Sequence, residues 1–167
     1  MHLRRLDIQD APLMLEWMHD ESVVKDLRAS FSTKQLKDCI DFINNSHQDS
    51  KNLHLAISGE NNEYLGTVSL KNMHDEVAEF AIAIRSVAMG KGIAKKAMDK
   101  IIEIGFKEKH LNTIFWCVSP ENKRAVRFYD KNGYCRVSSS ELKTLKDYSD
   151  LEIQAYYWYL IKKDREE

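Results

Sequence analysis

The sequence predicts a mixed α/β (α+β) fold, one sheet with helices on both faces, and three observations carry the prediction. Four runs of β character, Leu53–Ser58, Tyr64–Leu70, Val77–Ile84 and Thr113–Val118, are bounded by polar or turn residues. They are interleaved with helical periodicity, clearest where Ile93, Ala94, Ala97, Met98, Ile101 and Gly105 form one apolar face and Lys95, Lys96, Asp99, Lys100 and Glu103 the other. The only prolines are Pro12 and Pro120, and no repeat or linker-like stretch divides the 167 residues. Helices alternating with strands cover a sheet on both sides, and this length suffices for one core, so residues 1–167 are expected to form one domain.

In chain order, His2–Leu6 reads as a short first strand. Asp10 is placed to cap a helix through Leu13, Leu15, Trp17 and Met18, with Pro12 in its first turn. Val23–Leu27 is a second helical segment. Ser32-Thr33-Lys34-Gln35 has capping-box form, and Leu36, Ile40 and Ile43 then supply an apolar stripe. Gly59-Glu60-Asn61-Asn62 separates the Leu53–Ser58 and Tyr64–Leu70 strands as a hairpin turn. After the long helix and the Thr113–Val118 strand, Glu121–Lys131 reads as an amphipathic helix. Gly133–Val137 and the aromatic run Leu151–Ile161 read as the last strands.

Charge excludes some functions. Twenty-five Lys and Arg against 26 Asp and Glu give a net charge of −1, without the basic excess of a nucleic-acid binder. Cys39, Cys117 and Cys135 are widely spaced and form no CxxC pair, which fits reduced thiols better than disulfides or a metal site. No metal is expected. The apolar runs Phe80–Ile84 and Ala155–Ile161 are too short to span a membrane, and the N-terminus lacks a signal-peptide core. A cytoplasmic protein without nucleic-acid or membrane partners is expected.

The chemistry concentrates between Ala78 and Tyr134. The Val77–Ile84 strand runs through Arg85-Ser86-Val87-Ala88-Met89 into Gly90-Lys91-Gly92-Ile93-Ala94 and a helix. A glycine-containing loop opening a helix presents unpaired amides and the positive end of the dipole, a site for phosphate. Lys91 adds charge beside it. No Gly-Lys-Ser/Thr follows at Walker spacing, and Lys95 occupies the third glycine position of GxGxxG, so nucleotide hydrolysis and dinucleotide binding lose ground. On the next helix Asn122, Ala125 and Tyr129 fall within about 60° of one another and share a face. An amide and a phenol flanking a small residue suit a narrow ligand; a half-buried tyrosine with a satisfied hydroxyl is the structural alternative.

Taken in order, these motifs resemble those of the GNAT acetyltransferases, particularly the RimI, RimJ and RimL branch that acetylates ribosomal-protein alanines. The family's Q/R-x-x-G-x-G/A motif is matched by Met89-Gly90-Lys91-Gly92-Ile93-Ala94. Its N-x-x-A-x-x-x-Y helix is matched by Asn122 through Tyr129, and Lys131-Asn132-Gly133-Tyr134 is similar to the turn that follows. The likeness spans about Ala78 to Val137. Two positions depart: Met89 stands where Gln or Arg is usual, and Ser86 where proline is frequent.

The resemblance implies a mostly antiparallel central sheet and acetyl-CoA as cosubstrate. Met89, Gly90, Lys91, Gly92, Ile93 and Ala94 would hold the pyrophosphate, Ile82 and Ile84 would flank the pantetheine arm, and Asn122 would hold it from the other side. A primary amine, whether a protein N-terminus, an amino sugar, a polyamine or another small amine, would attack the thioester directly. Tyr129 is the candidate general acid toward the departing thiolate. Glu79, which shares a strand face with Ala81 and Ala83, is the candidate base; a salt-bridged structural carboxylate is the alternative. Cys117, inside an apolar strand, is expected in the core rather than as a nucleophile. Acceptor choice is assigned to the N-terminal helices and the Ser138–Asp150 loop, with Trp17, His19, Glu21 and Tyr148 as wall candidates. A non-catalytic acyl-CoA-binding module is the alternative, and a homodimer is one option for assembly.

Overall fold

The computed structural model describes residues 1–142 and 145–164. Lys143 and Thr144, in the loop assigned to acceptor choice, lie outside the described residues, as do residues 165–167. Seven strands make one sheet: β1 (His2–Arg5), β2 (Leu53–Ser58), β3 (Tyr64–His74), β4 (Val77–Ile84), β5 (Thr113–Val118), β6 (Arg136–Val137) and β7 (Tyr157–Lys162). Their order is β1-β2-β3-β4-β5-β7-β6. Neighbours are antiparallel except β4 and β5, which are parallel.

Period-2 alternation sends side chains to two separate cores. On one face Ile57, Val68, Leu70, Phe80 and Trp116 pack under α4 (Ile93–Lys107) and α5 (Lys123–Lys131), which contribute Met98, Ile101 and Tyr129. On the other, Ala56 and Tyr64 meet Met14, Trp17, Cys39 and Ile43 from α1 (Ala11–Met18) and α3 (Leu36–Ser46), with Val23 from α2 (Glu21–Val24). Trp17 Nε1 donates to the Tyr64 hydroxyl at 2.9 Å, which bonds Thr67 Oγ1 at 2.7 Å, so the polar ends of both buried rings are satisfied. Among the described residues no helix is long and apolar enough to cross a membrane.

Several local expectations change. Asp10 does not cap α1 with its side chain. It closes a capping box with Asp7 over the 3-10 turn Ile8–Asp10 and takes two 2.8 Å bonds from the Arg4 guanidinium. The box expected at Ser32–Gln35 lies three residues later, where Gln35 N donates to Asp38 Oδ2 at 2.8 Å. Leu36 is exposed, and Cys39 rather than Leu36 joins Ile43 in the core. β3 extends past Leu70 to His74, and β6 shrinks to Arg136–Val137. The expected Leu151–Ile161 strand divides into α6 (Asp150–Ala155) and β7. Ser149 and Glu152 cap each other's backbone there, and helix formation satisfies those amides where no strand neighbour is at hand.

Candidate active site

The site follows from where β4 and β5 stop pairing. They are in register only from Val77↔Thr113 to Glu79↔Phe115. Beyond that point Phe80–Ile84 stays bonded to β3, and Trp116–Val118 to β7, so the facing edges part. A cavity of about 950 Å³ fills the opening, lined on one side by Phe80–Ile84 and on the other by Trp116–Ser119. Backbone groups on such edges need partners, and an extended ligand arm with amides can supply them as a strand would. Ile82 and Ile84 both line it. The β3–β4 register is unbroken from Glu79 to Ile84, with its irregularity at Lys71–His74, so Glu79, Ala81 and Ala83 do share a face.

One end of the cavity is the start of α4. Gly90 and Gly92 have φ of 75° and 74°, a region costly for residues with a Cβ, and nothing lies within 4 Å of where a Cβ would project from either. Lys96 N makes the first intrahelical bond, to Gly92 O at 3.3 Å, which leaves the amides of Ile93, Ala94 and Lys95 without intrahelical partners. Met89, Gly90, Gly92, Ile93 and Ala94 line the cavity; Lys91 does not, and Lys95, one turn on, does. Arg124 fills a gap that sequence reading left open: its Nη1 lies 2.9 Å from Met89 Sδ, so a guanidinium from α5 reaches the position where the family motif has Gln or Arg.

Asn122 is the N-cap of α5 rather than part of its body. Its Oδ1 accepts from Ala125 N at 3.2 Å, and the residue lines the cavity. Tyr129 lines the same cavity with its ring fixed against Trp116 (5.3 Å) and Tyr159 (5.1 Å). Among the described residues its hydroxyl has no hydrogen-bond partner. Burial, then the nearby Tyr159, Cys117 and Tyr134, push its pKa above the ordinary value, so the phenol stays protonated. Burial does the same to Tyr64. Both rings bind their proton more tightly folded than unfolded, so stability persists below the unfolded tyrosine pKa near 10 and is lost above it, at about 1.4 kcal/mol per pH unit for each. We expect a flat melting temperature between about pH 7 and 8, a gradual fall once the unfolded Cys117 thiol begins to ionise near about pH 8.5, and a steeper one above about pH 10 where the phenols join it; no change up to strong alkali would show that these groups do not titrate with unfolding.

Glu79 sits at the apex of the split, 7% exposed. The Tyr148 hydroxyl donates to its Oε1, and Lys71 Nζ lies 3.8 Å from the same oxygen. Tyr148 is held in turn: the Arg28 guanidinium lies 4.4 Å over its ring, bonds Asp147 O at 2.7 Å, and pairs with Glu152. Cys117 is not a core residue. It is half-buried, lines the cavity and points its Sγ at the Tyr148 hydroxyl at 3.6 Å. Burial pushes its thiol up to about 11, which disfavours a thiolate nucleophile. Of the other wall candidates Trp17 and Tyr148 line the cavity; His19 instead bonds Lys34 O at 2.8 Å, and Glu21 opens α2.

Residues 1–134 match the family model described as the acetyltransferase (GNAT) domain. The chain belongs to the GNAT acetyltransferase family. It is an acetyl-CoA-dependent N-acetyltransferase by class. It is 29% identical to the uncharacterized N-acetyltransferase p20 of Bacillus licheniformis, over 97% of this chain and 93% of that protein. A spermidine N(1)-acetyltransferase of Escherichia coli is also 29% identical, over 52% of this chain and 46% of that one. Among solved structures, spermidine N-acetyltransferase from Vibrio cholerae in complex with CoA and spermine superposes with a TM-score of 0.78 at 19% identity, covering 96% of this chain and 94% of that one. These comparisons support the GNAT family as a whole and do not single out its RimI, RimJ and RimL branch.

Proposed function

We propose that residues 1–167 act as one domain that transfers the acetyl group of acetyl-CoA to a primary amine by direct attack in a ternary complex. The observation that carries this reading is the single cavity running from the α4 N-terminus, through the β4–β5 split, to Glu79, with Tyr129 in its wall. Amides of Ile93 and Ala94, with Gly90 and Gly92 allowing close approach, take the pyrophosphate, and Arg124 supplies the charge that Met89 does not. Ile82, Ile84 and the Asn122 amide align the pantetheine arm. Glu79 takes the proton that the acceptor ammonium must lose, and Tyr129 protonates the departing sulfur. Alignment and placed charge thus supply most of the catalysis.

The test is release of free thiol from acetyl-CoA with a panel of amines. Spermidine belongs in that panel because similar proteins carry its name. Amine-dependent release with saturation in both substrates supports the proposal. CoA binding, seen as a raised melting temperature, without amine-dependent release for any amine overturns it in favour of an acyl-CoA-binding module.

A further inference from the structure

Resting on the acetyl-transfer reading, we propose that the acceptor is a primary amine with a carboxylate or phosphate a few bonds away, its ammonium meeting Glu79 and its acidic group meeting Lys71. The sheet face that carries Glu79 also carries His54, Ser69 and Lys71, in cross-strand register His54↔Ser69 and Lys71↔Glu79, and all four line the cavity. Lys71 Nζ and Glu79 Oε1, 3.8 Å apart, are closer to a loose ion pair than to a hydrogen-bonded one. An ammonium that takes the buried Glu79 strips the half-buried Lys71 of its counter-charge and sets two cations side by side around one carboxylate, a repulsion that solvent at Lys71 screens only in part. An acceptor that brings its own anion turns one ion pair into two and leaves the wall neutral.

The rest of this wall fits the same ligand. His54 Nδ1 bonds Ser69 Oγ at 2.6 Å, and burial together with nearby Lys71 lowers the imidazole pKa against the opposing pull of Asp49, so the pair offers neutral hydrogen bonds. A polycation finds little here. The carboxylates lining this part of the cavity are Asp26, Asp38 and Glu79, with Lys34 and Lys71 beside them, while the Arg28 guanidinium is already paired with Glu152. Asp38 is committed to Gln35 N as the α3 cap, and Glu79 already faces Lys71 and Tyr148. Recognition of several ammonium groups in a row requires several unengaged carboxylates, and this wall offers Asp26.

The experiment compares amines that differ in the acid alone. Thiol release from acetyl-CoA is measured with O-phosphoethanolamine against ethanolamine, β-alanine against β-alaninamide, and spermidine as the polycation. In at least one pair the acidic member should show a kcat/KM at least about tenfold above its neutral partner and above spermidine. Lys71→Met should bring that ratio close to one, and Lys71→Arg should restore it; a CoA-induced rise in melting temperature in both variants reports that they fold. Preference for the neutral members or for spermidine overturns the proposal while acetyl transfer stands. An unchanged ratio in folded Lys71→Met also overturns it. If no amine supports thiol release while CoA still binds, the acetyl-transfer reading fails, and this proposal with it.

Discussion

Tyr129→Phe is expected to lower kcat about 100-fold, near the lower end of what a positioned general acid contributes, with little change in melting temperature or in the KM for acetyl-CoA. The substitution keeps the ring, and the ring is what packs against Trp116 and Tyr159. Because the hydroxyl has no partner among the described residues, its removal strands no buried group, and stability is conserved. What disappears is a protonated phenol on the cavity wall, and the loss corresponds to about 2.7 kcal/mol of transition-state stabilisation. A variant with full kcat would remove Tyr129 from the mechanism. A rise in acetyl-CoA KM with kcat intact would make it a binding residue.

Glu79→Gln should reduce kcat/KM for the acceptor amine about 100-fold near neutral pH and leave acetyl-CoA binding unchanged. Glutamine retains the shape of the side chain and can still accept from the Tyr148 hydroxyl. It cannot take a proton from an ammonium. The defect should therefore shrink as pH rises and more of the acceptor arrives as free amine, whereas loss of a purely structural carboxylate has no reason to track the acceptor's ionisation. A drop in melting temperature with normal turnover would assign Glu79 to the Lys71 ion pair alone. Lys71 is 37% exposed, so solvent screens that pair and little stability is expected to depend on it.

Some of this architecture was legible in the residues. β2, β4 and β5 have the limits that their apolar, β-rich runs indicate, because turn residues bound each run. The α4 stripe of Ala97, Met98, Ile101 and Gly105 is buried as its spacing predicts. Structure departs from the local pattern where two signals compete. The aromatic run after Leu151 outweighed the Ser149-x-x-Glu152 cap that starts a helix, and Ser32–Gln35 outweighed the Gln35–Asp38 cap that α3 uses. The site was legible where it is continuous in sequence: Met89–Ala94 and Asn122–Tyr129 carry motifs, and both line the cavity apart from Lys91 and helix positions facing away.

Lys71 and Arg124 carried no comparable signal, and Tyr148 stood only as a wall candidate of the Ser138–Asp150 loop. Lys71 is an isolated cation in a strand, Tyr148 lies in a polar loop without periodicity, and Arg124 occupies a variable position of its motif. Their importance comes from partners 8, 69 and 35 positions away, Glu79 for the first two and Met89 for the third. Hydrophobic period, capping chemistry and two short motifs therefore determine the kind of fold, its elements and the family's cosubstrate, because each acts within a few residues. Tertiary structure alone decided where β4 and β5 part, which charges face each other across the cavity, and hence what lines the candidate acceptor end of it. Those depend on strand register and on contacts between distant segments, which local preference does not encode.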